Sequence, residues 1–188
     1  MADDSNLNTA EQRVKKKVQG TYRLKRILFW IGFALFMLIP FALSMIKIGE
    51  FRLTFMLWTT PLFVLVDIFI IRQLFRYLDI EYEYSVVSGE LRIDIIYGNM
   101  RRKEWLRVRF ADMSVIAPYE GEYKAKADDP SITARYEAAS SLDAPDCYFG
   151  TFVGEGDVKS VVFFEPTRKI LKQAKLFNAA TVVRDVRY

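Results

Sequence analysis

The chain contains no histidine and a single cysteine, Cys147. Without histidine there is no Ser-His-Asp triad, no histidine general base and no histidine-ligated metal. A lone cysteine excludes an intrachain disulfide and any multi-cysteine zinc site. Glycine is sparse, and Gly150, Gly154 and Gly156 are spaced as turn residues, not as a phosphate-cradling loop. No P-loop, dinucleotide fingerprint, metal cluster or nucleophile–base pair is present. The expectation is therefore a non-enzyme with no catalytic residue, no metal and no cofactor. Charge is also scarce in one stretch: residues 27–71 carry only Lys47, Glu50, Arg52 and Asp67.

That stretch holds two long apolar runs. Ile27 to Ile46 is 20 consecutive uncharged positions. At about 1.5 Å per helical residue it reaches about 30 Å, the thickness of a bilayer's hydrocarbon core. Leu53 to Ile71 is a second run, broken only by Asp67. The six residues between them suffice for a turn, and neither run has the polar face of a soluble helix. The pattern predicts a transmembrane hairpin over 27–76, with spans at 27–46 and 53–71. The first run exceeds the about 7–15 apolar residues of a cleaved leader, which argues for a retained anchor.

Lysine and arginine placement orients the hairpin. Arg13, Lys15, Lys16, Lys17, Arg23, Lys25 and Arg26 precede the first span, and Arg72 and Arg76 follow the second. The loop has only Lys47 and Arg52. The expectation is a multi-pass protein of the cell membrane with both termini cytoplasmic. Residues 1–26 form a basic segment, in which Thr9 and Gln12 resemble a capping box and predict a helix from Ala10 to about Gln19. Its membrane-surface candidates are Lys15, Lys16, Lys17, Arg23, Lys25 and Arg26, read either as topology determinants or as ligands of anionic headgroups. Residues 79–188 carry 16 basic and 18 acidic side chains, so the basicity is juxtamembrane and no nucleic-acid partner is expected. Asp67 within the second span reads as an interfacial or interhelical hydrogen-bonding group, or as a proton or ion site. Pro40 and Pro61 are candidate kinks.

From residue 78 the pattern alternates. Ile80, Tyr82, Tyr84 and Val86 share one face of a strand, and Leu91, Ile93, Ile95 and Tyr97 share one face of the next. Ser88-Gly89-Glu90 is the turn between them. A third strand alternates Lys103, Trp105, Arg107 and Arg109 with Leu106, Val108 and Phe110. Further strands are predicted at 113–117, 147–153 and 158–164. Pro166 then opens a helix with Ile170, Leu171, Ala174 and Phe177 on one face and Asn178 as its C-cap. The final segment, Thr181 to Val186, pairs or trails. The expected class is a membrane helical hairpin plus an α+β domain, 78–188: a strongly twisted antiparallel sheet capped by a C-terminal helix. An insertion at 119–145 has six acidic and three basic residues. It reads as a mobile loop or a partner-binding loop, with a short helix from Arg135 to Ser141.

The order of elements carries a resemblance. Two spans, a tyrosine-rich strand, Ser88-Gly89-Glu90-Leu91, the basic turn Arg101-Arg102-Lys103, the connection Ala111-Asp112-Met113 and the helix entry Phe164-Glu165-Pro166-Thr167-Arg168-Lys169-Ile170-Leu171 follow one another. Over about residues 27–188 this layout resembles a family of bacterial membrane proteins with two N-terminal spans and a pleckstrin-homology-like (PH-like) domain. The resemblance implies a partly open barrel and a role in binding or scaffolding, with no catalytic residues to carry over. Six strands are read here where that fold has seven, and the insertion after Pro118 is a second departure.

The strongest ligand candidate is Arg101, Arg102, Lys103, Trp105, Arg107 and Arg109. Alternation would place Lys103, Trp105, Arg107 and Arg109 on one surface, suited to an anionic headgroup or an acidic partner. The competing reading is a solvated face paired with Glu81, Glu83 or Asp94. The expected function is a membrane-anchored, non-catalytic binding or scaffold protein at the cytoplasmic face. The alternative is an accessory subunit of a multi-protein membrane complex, packed through its hairpin. Expected partners are the bilayer, anionic lipid headgroups, and a membrane protein or further copies of the chain.

Overall fold

The computed structural model describes residues 9–18, 20–48, 51–52, 57–98 and 101–182. The expected tail Met1–Asn8, the loop centre Gly49–Glu50, the start of the second span at Leu53–Met56, the turn at Asn99 and the end of the last segment at Val183–Val186 lie outside the described residues. The chain forms two units: one from residues 9–17 with 80–182, the other from 18–79.

The first unit begins with a correction. Thr9–Lys15 is a strand, β1, not a helix. Ala10 and Val14 alternate inward, a period of two that the helix-forming residues around them mask. Tertiary pairing overrides propensity here. β1 lies antiparallel to β4 (Ile80–Val87) through seven residue pairs, from Thr9↔Val87 to Lys15↔Glu81. Gln12, read as a capping partner, instead accepts a hydrogen bond from the Thr167 backbone N–H at 2.9 Å. Residues 9–17 therefore belong to the α+β unit, and β1 supplies a strand that the sequence count lacked.

β4, β5 (Glu90–Tyr97) and β6 (Arg101–Arg109) continue the sheet as an antiparallel meander, in the order β1-β4-β5-β6. Ser88 (φ 49°) and Gly89 (φ 81°) make the two-residue turn into β5, the left-handed pair expected of a type I′ hairpin. A Cβ at Gly89 would lie 2.5 Å from the Phe177 ring, so this site needs glycine twice over.

A second sheet contains β7 (Met113–Pro118), β9 (Tyr148–Val153) and β10 (Lys159–Phe164), paired antiparallel. The insertion adds β8 (Ala134–Glu137) parallel to β10. The expected helix over Arg135 to Ser141 is thus replaced by a strand and a buried turn. The insertion also carries a short helix, α3 (Lys124–Ala127). The two four-stranded sheets share one core, and no strand pairs one sheet to the other among the described residues. α4 (Arg168–Phe177) closes the unit: Thr167 accepts from the Ile170 N–H as N-cap, and Ile170, Leu171 and Ala174 face the core. Asn178 ends it, donating through Nδ2 to the carbonyls of Phe110 (2.8 Å) and Met113 (2.6 Å). Val182 N–H then donates to Ile116 O at 2.8 Å.

β10 explains why the insertion is ordered. Val161, Val162, Phe163 and Phe164 are all fully buried. Val162 and Phe164 face the main core. Val161 and Phe163 face a second cluster, with Ala127, Ala139, Cys147 and Phe149, that the insertion covers. A strand apolar on both faces needs cover on both.

The other unit is a helix pair. α1 (Gly20–Ser44) is joined to α2 (Thr60–Leu78) through a two-residue ladder between β2 (Lys47–Ile48) and β3 (Phe51–Arg52). The Phe36 and Phe63 rings meet at 5.7 Å. Among the described residues one segment, Tyr22–Ser44, is long and apolar enough to cross a membrane. α2 is described from Thr60, with Pro61, which lacks an N–H, in its first turn. It extends past Ile71 and so includes Arg72 and Arg76 as well as Asp67. Leu35, Leu38, Leu62, Leu65 and Phe69 are each more than half exposed, because two helices alone cannot cover them.

Candidate functional site

The outer face of the β1-β4-β5-β6 sheet is built from charges. The pairing register lines up Lys15–Glu81, then Arg13–Glu83–Asp94–Glu104, then Arg92–Arg107 across adjacent strands. Glu83 and Asp94 are buried, yet both face outward. Each survives there because arginines cover it. Glu83 pairs with Arg13 at 2.9 Å and with Arg102. Asp94 pairs with Arg92 at 3.0 Å and lies 4.0 Å from Arg102. Arg92 also meets Glu104 at 3.1 Å, and Arg107 grips both oxygens of Glu104. That hydrogen bonding holds the Glu104 carboxyl below its usual range.

A β-bulge rearranges the basic stripe. Ile93 pairs with Leu106 and Asp94 with Glu104, so Trp105 is the extra residue. Lys103, Trp105, Arg107 and Arg109 therefore do not share one surface. Arg102, Arg107 and Arg109 register with outward residues, whereas Arg101 and Lys103 lie opposite Tyr97 and Ile95 of the inward set. Trp105 packs against the core, stacked on Tyr82 at 5.8 Å and edge-on to Tyr136 at 5.6 Å. It is a core-packing indole, not one presented to lipid. Arg102 meets Glu83 and Asp94, the pairing that the competing reading anticipated, whereas Arg107 meets Glu104 of its own strand.

What the fold brings together is a different set. The ends of β1 and β5 and the starts of β4 and β6 lie at one end of the sheet, through Lys15↔Glu81, Ile80↔Tyr97 and Tyr97↔Arg101. Lys15, Lys16 and Lys17 lie at that end on one edge of the sheet, and Arg101, Arg102 and Lys103 at the same end on the other edge. Arg107 and Arg109 lie toward the opposite end, beside Glu90. Lys15 is 3.8 Å from Glu81. Lys16 Nζ is 3.2 Å from the Tyr82 hydroxyl, and burial pushes that phenol up to about 12. Lys16, Lys17, Arg101 and Lys103 form no ion pair among the described residues. The helix expected over Ala10 to Gln19 hides this arrangement, for which the inward alternation of Ala10 and Val14 is the available signal.

The remaining candidates lie in the helix pair or carry no chemistry. Arg23, Lys25 and Arg26 are on the first turns of α1. Asp67 is 2% exposed, and its Oδ2 has no hydrogen-bond partner among the described residues. Cys147 is buried and its thiol is pushed up to about 12 by burial, which makes it a poor nucleophile. Among the described residues no group of histidine, cysteine, aspartate or glutamate is placed to hold a metal.

A family model described as Bacterial PH-like domain (DUF6106) matches residues 9–184. The match begins at the first residue of β1 and encloses the helix pair. No curated protein and no solved structure matches.

Proposed function

The chain belongs to this bacterial PH-like family, and we propose that it is a membrane-anchored, non-catalytic binding or scaffold protein of the cytoplasmic face. The anchoring rests on α1, whose Tyr22–Ser44 is long and apolar enough to cross a membrane, and one further observation supports a return span. β1 and β4 are neighbours through seven residue pairs, yet the helix pair separates them in sequence. A chain that crosses a bilayer once between them would leave the two strands on opposite sides. With α1 as one span, a second crossing must follow before β4, and the run 53–71 is the segment available for it. The basic residues on the strand-bearing side and the sparse loop charges favour a cytoplasmic domain. Lys47→Cys should react with an impermeant maleimide on intact cells, and Glu155→Cys only after lysis; the reverse pattern overturns the topology.

The same connectivity supports a headgroup-facing role. Lys16, Lys17, Arg101 and Lys103 lie at the sheet end where β1 leaves for α1 and β4 returns from α2. Each lysine or arginine near an anionic surface is worth about 1 kcal/mol. In nanodiscs, anionic lipid should slow amide exchange around residues 101–103, and Arg101→Glu with Lys103→Glu should remove the effect. Unchanged protection in that variant removes the headgroup reading and leaves the anchoring intact. A second reading, an accessory subunit of a membrane complex or a homo-oligomer, is favoured by the buried Asp67, whose Oδ2 has no hydrogen-bond partner among the described residues. Crosslinking in native membrane tests it: a stoichiometric membrane-protein neighbour lost in Asp67→Asn supports it.

A further inference from the structure

Where the insertion lies against the outer side of the β7-β9-β10 sheet it borders an open cleft of about 220 Å³. The wall of this cleft differs from the apolar seam beside it. Lys126 enters from α3 and Lys159 from β10, and neither forms an ion pair among the described residues. Ser114 of β7, Ser131 of the insertion and Thr151 of β9 add hydroxyls. Lys159 Nζ donates to Ser131 Oγ at 3.3 Å, which fixes the ammonium at the rim. Lys126 Nζ lies over the Tyr123 ring at 5.7 Å.

The wall contains one carboxylate, Asp129. Its Oδ1 accepts from the Ser131 backbone N–H at 2.8 Å, and that bond holds the carboxyl below its usual range. A carboxylate in the same wall as two lysines, with Lys159 near enough to act on its charge, is a poor lining for an ordinary anion. It suits an oxyanion that carries a proton of its own. The oxyanion's free oxygens accept from lysines and hydroxyls, and its O–H donates to the carboxylate. Inorganic phosphate has such a proton near neutral pH, and sulfate does not. Size narrows the ligand further. Sites for drug-sized molecules run to about 300–1,000 Å³. At about 220 Å³ this open cleft is on the scale of a small oxyanion with its waters.

We propose that the cleft binds inorganic phosphate, with Lys126 and Lys159 as charge donors and Asp129 as the acceptor that selects the protonated oxyanion. The site is separate from the basic sheet end and does not depend on the headgroup reading. The test is calorimetric titration of the full-length protein in detergent with phosphate and with sulfate, near pH 7. Phosphate should bind, and sulfate about tenfold or more weakly, the size of one charge-assisted hydrogen bond. Phosphate should also raise the melting temperature. Lys126→Ala with Lys159→Ala should weaken phosphate binding by about tenfold or more. Both side chains are exposed, so the variant's melting temperature without phosphate should match the parent's. Asp129→Asn should erase the preference over sulfate while keeping both ions bound. No binding, equal binding of sulfate by the parent protein, or undiminished phosphate binding by the double variant overturns the proposal.

Discussion

The β1-β4-β5-β6 sheet turns an outer face of ion pairs outward, whereas the β7-β9-β10 sheet hides its outer face under the insertion. Both sheets share one core, so the inner faces obey the same rule. The outer faces differ because their residues do. On the first sheet Glu83 and Asp94 sit under Arg13, Arg92 and Arg102. On the second, Val161 and Phe163 sit under Ala127 and Ala139 of the insertion. Exposed ion pairs stabilise weakly and are screened by salt. Apolar burial scales with area and tolerates salt. The lesson is that the first sheet relies on register and the second on cover, and each has its own way of failing.

The most severe test of the first sheet removes β1. A fragment of residues 80–188 should lose cooperative unfolding, because Tyr82, Tyr84 and Val86 lose their neighbouring strand and Glu83 loses Arg13. Residues 9–17 joined to 80–188 by a short Gly-Ser turn should recover it, since Lys15 and Glu81 are already register partners. Urea unfolding of the two proteins checks this, and a cooperative fragment without β1 would break the reading. The matching test of the second sheet is Phe163→Ala. Its ring is fully buried under the insertion and meets Tyr119 at 4.9 Å. The expected loss is about 3–5 kcal/mol in urea unfolding. A loss below about 1 kcal/mol would mean that the insertion does not cover this face in solution.

A smaller effect reports on the seam between the sheets. Tyr82 stacks on Trp105 of one sheet, and Trp105 meets Tyr136 of the other. The Tyr82 phenol ionises at about 12 when folded and near its ordinary value of about 10 when unfolded. The folded state thus keeps a proton that the unfolded state releases. The contribution is complete below about pH 10 and falls away between about pH 10 and 12, by roughly 2–3 kcal/mol. Tyr84 shifts the same way, for the same reason of burial. Urea midpoints at pH 8 and pH 11.5 should show the fall, and Tyr82→Phe should reduce it.

Local pattern is enough for β4 to β6 and α4, where alternation or helical spacing is strong, and for β7, β9 and β10, which read as short apolar runs bounded by turn residues. It fails where a partner is remote. Ala10-Glu11-Gln12-Arg13 favours a helix by composition, and the residues that hold it extended lie in β4, beyond the helix pair. β8 is four residues whose parallel partner, β10, follows some two dozen residues later. The candidate site was half legible. Its arginines were named, but one extra residue at Trp105 decides which of them share a face. Nothing in Glu104-Trp105-Leu106 announces a bulge.

The smallest effect should come from Arg107, and its smallness separates the two outer faces. Arg107 holds both oxygens of Glu104, geometry that looks strong. Both side chains are exposed, however, so water and salt compete for each charge. Arg92 also reaches Glu104 and remains when Arg107 is gone. Arg107→Ala should leave the urea midpoint nearly unchanged, at low and at high salt. Arg102→Ala should do more, and chiefly at low salt, because it uncovers Glu83 and Asp94, which are buried and cannot turn to water as freely. Equal effects of the two substitutions would mean that the charged face acts as a uniform screen and not as a cover over two buried carboxylates.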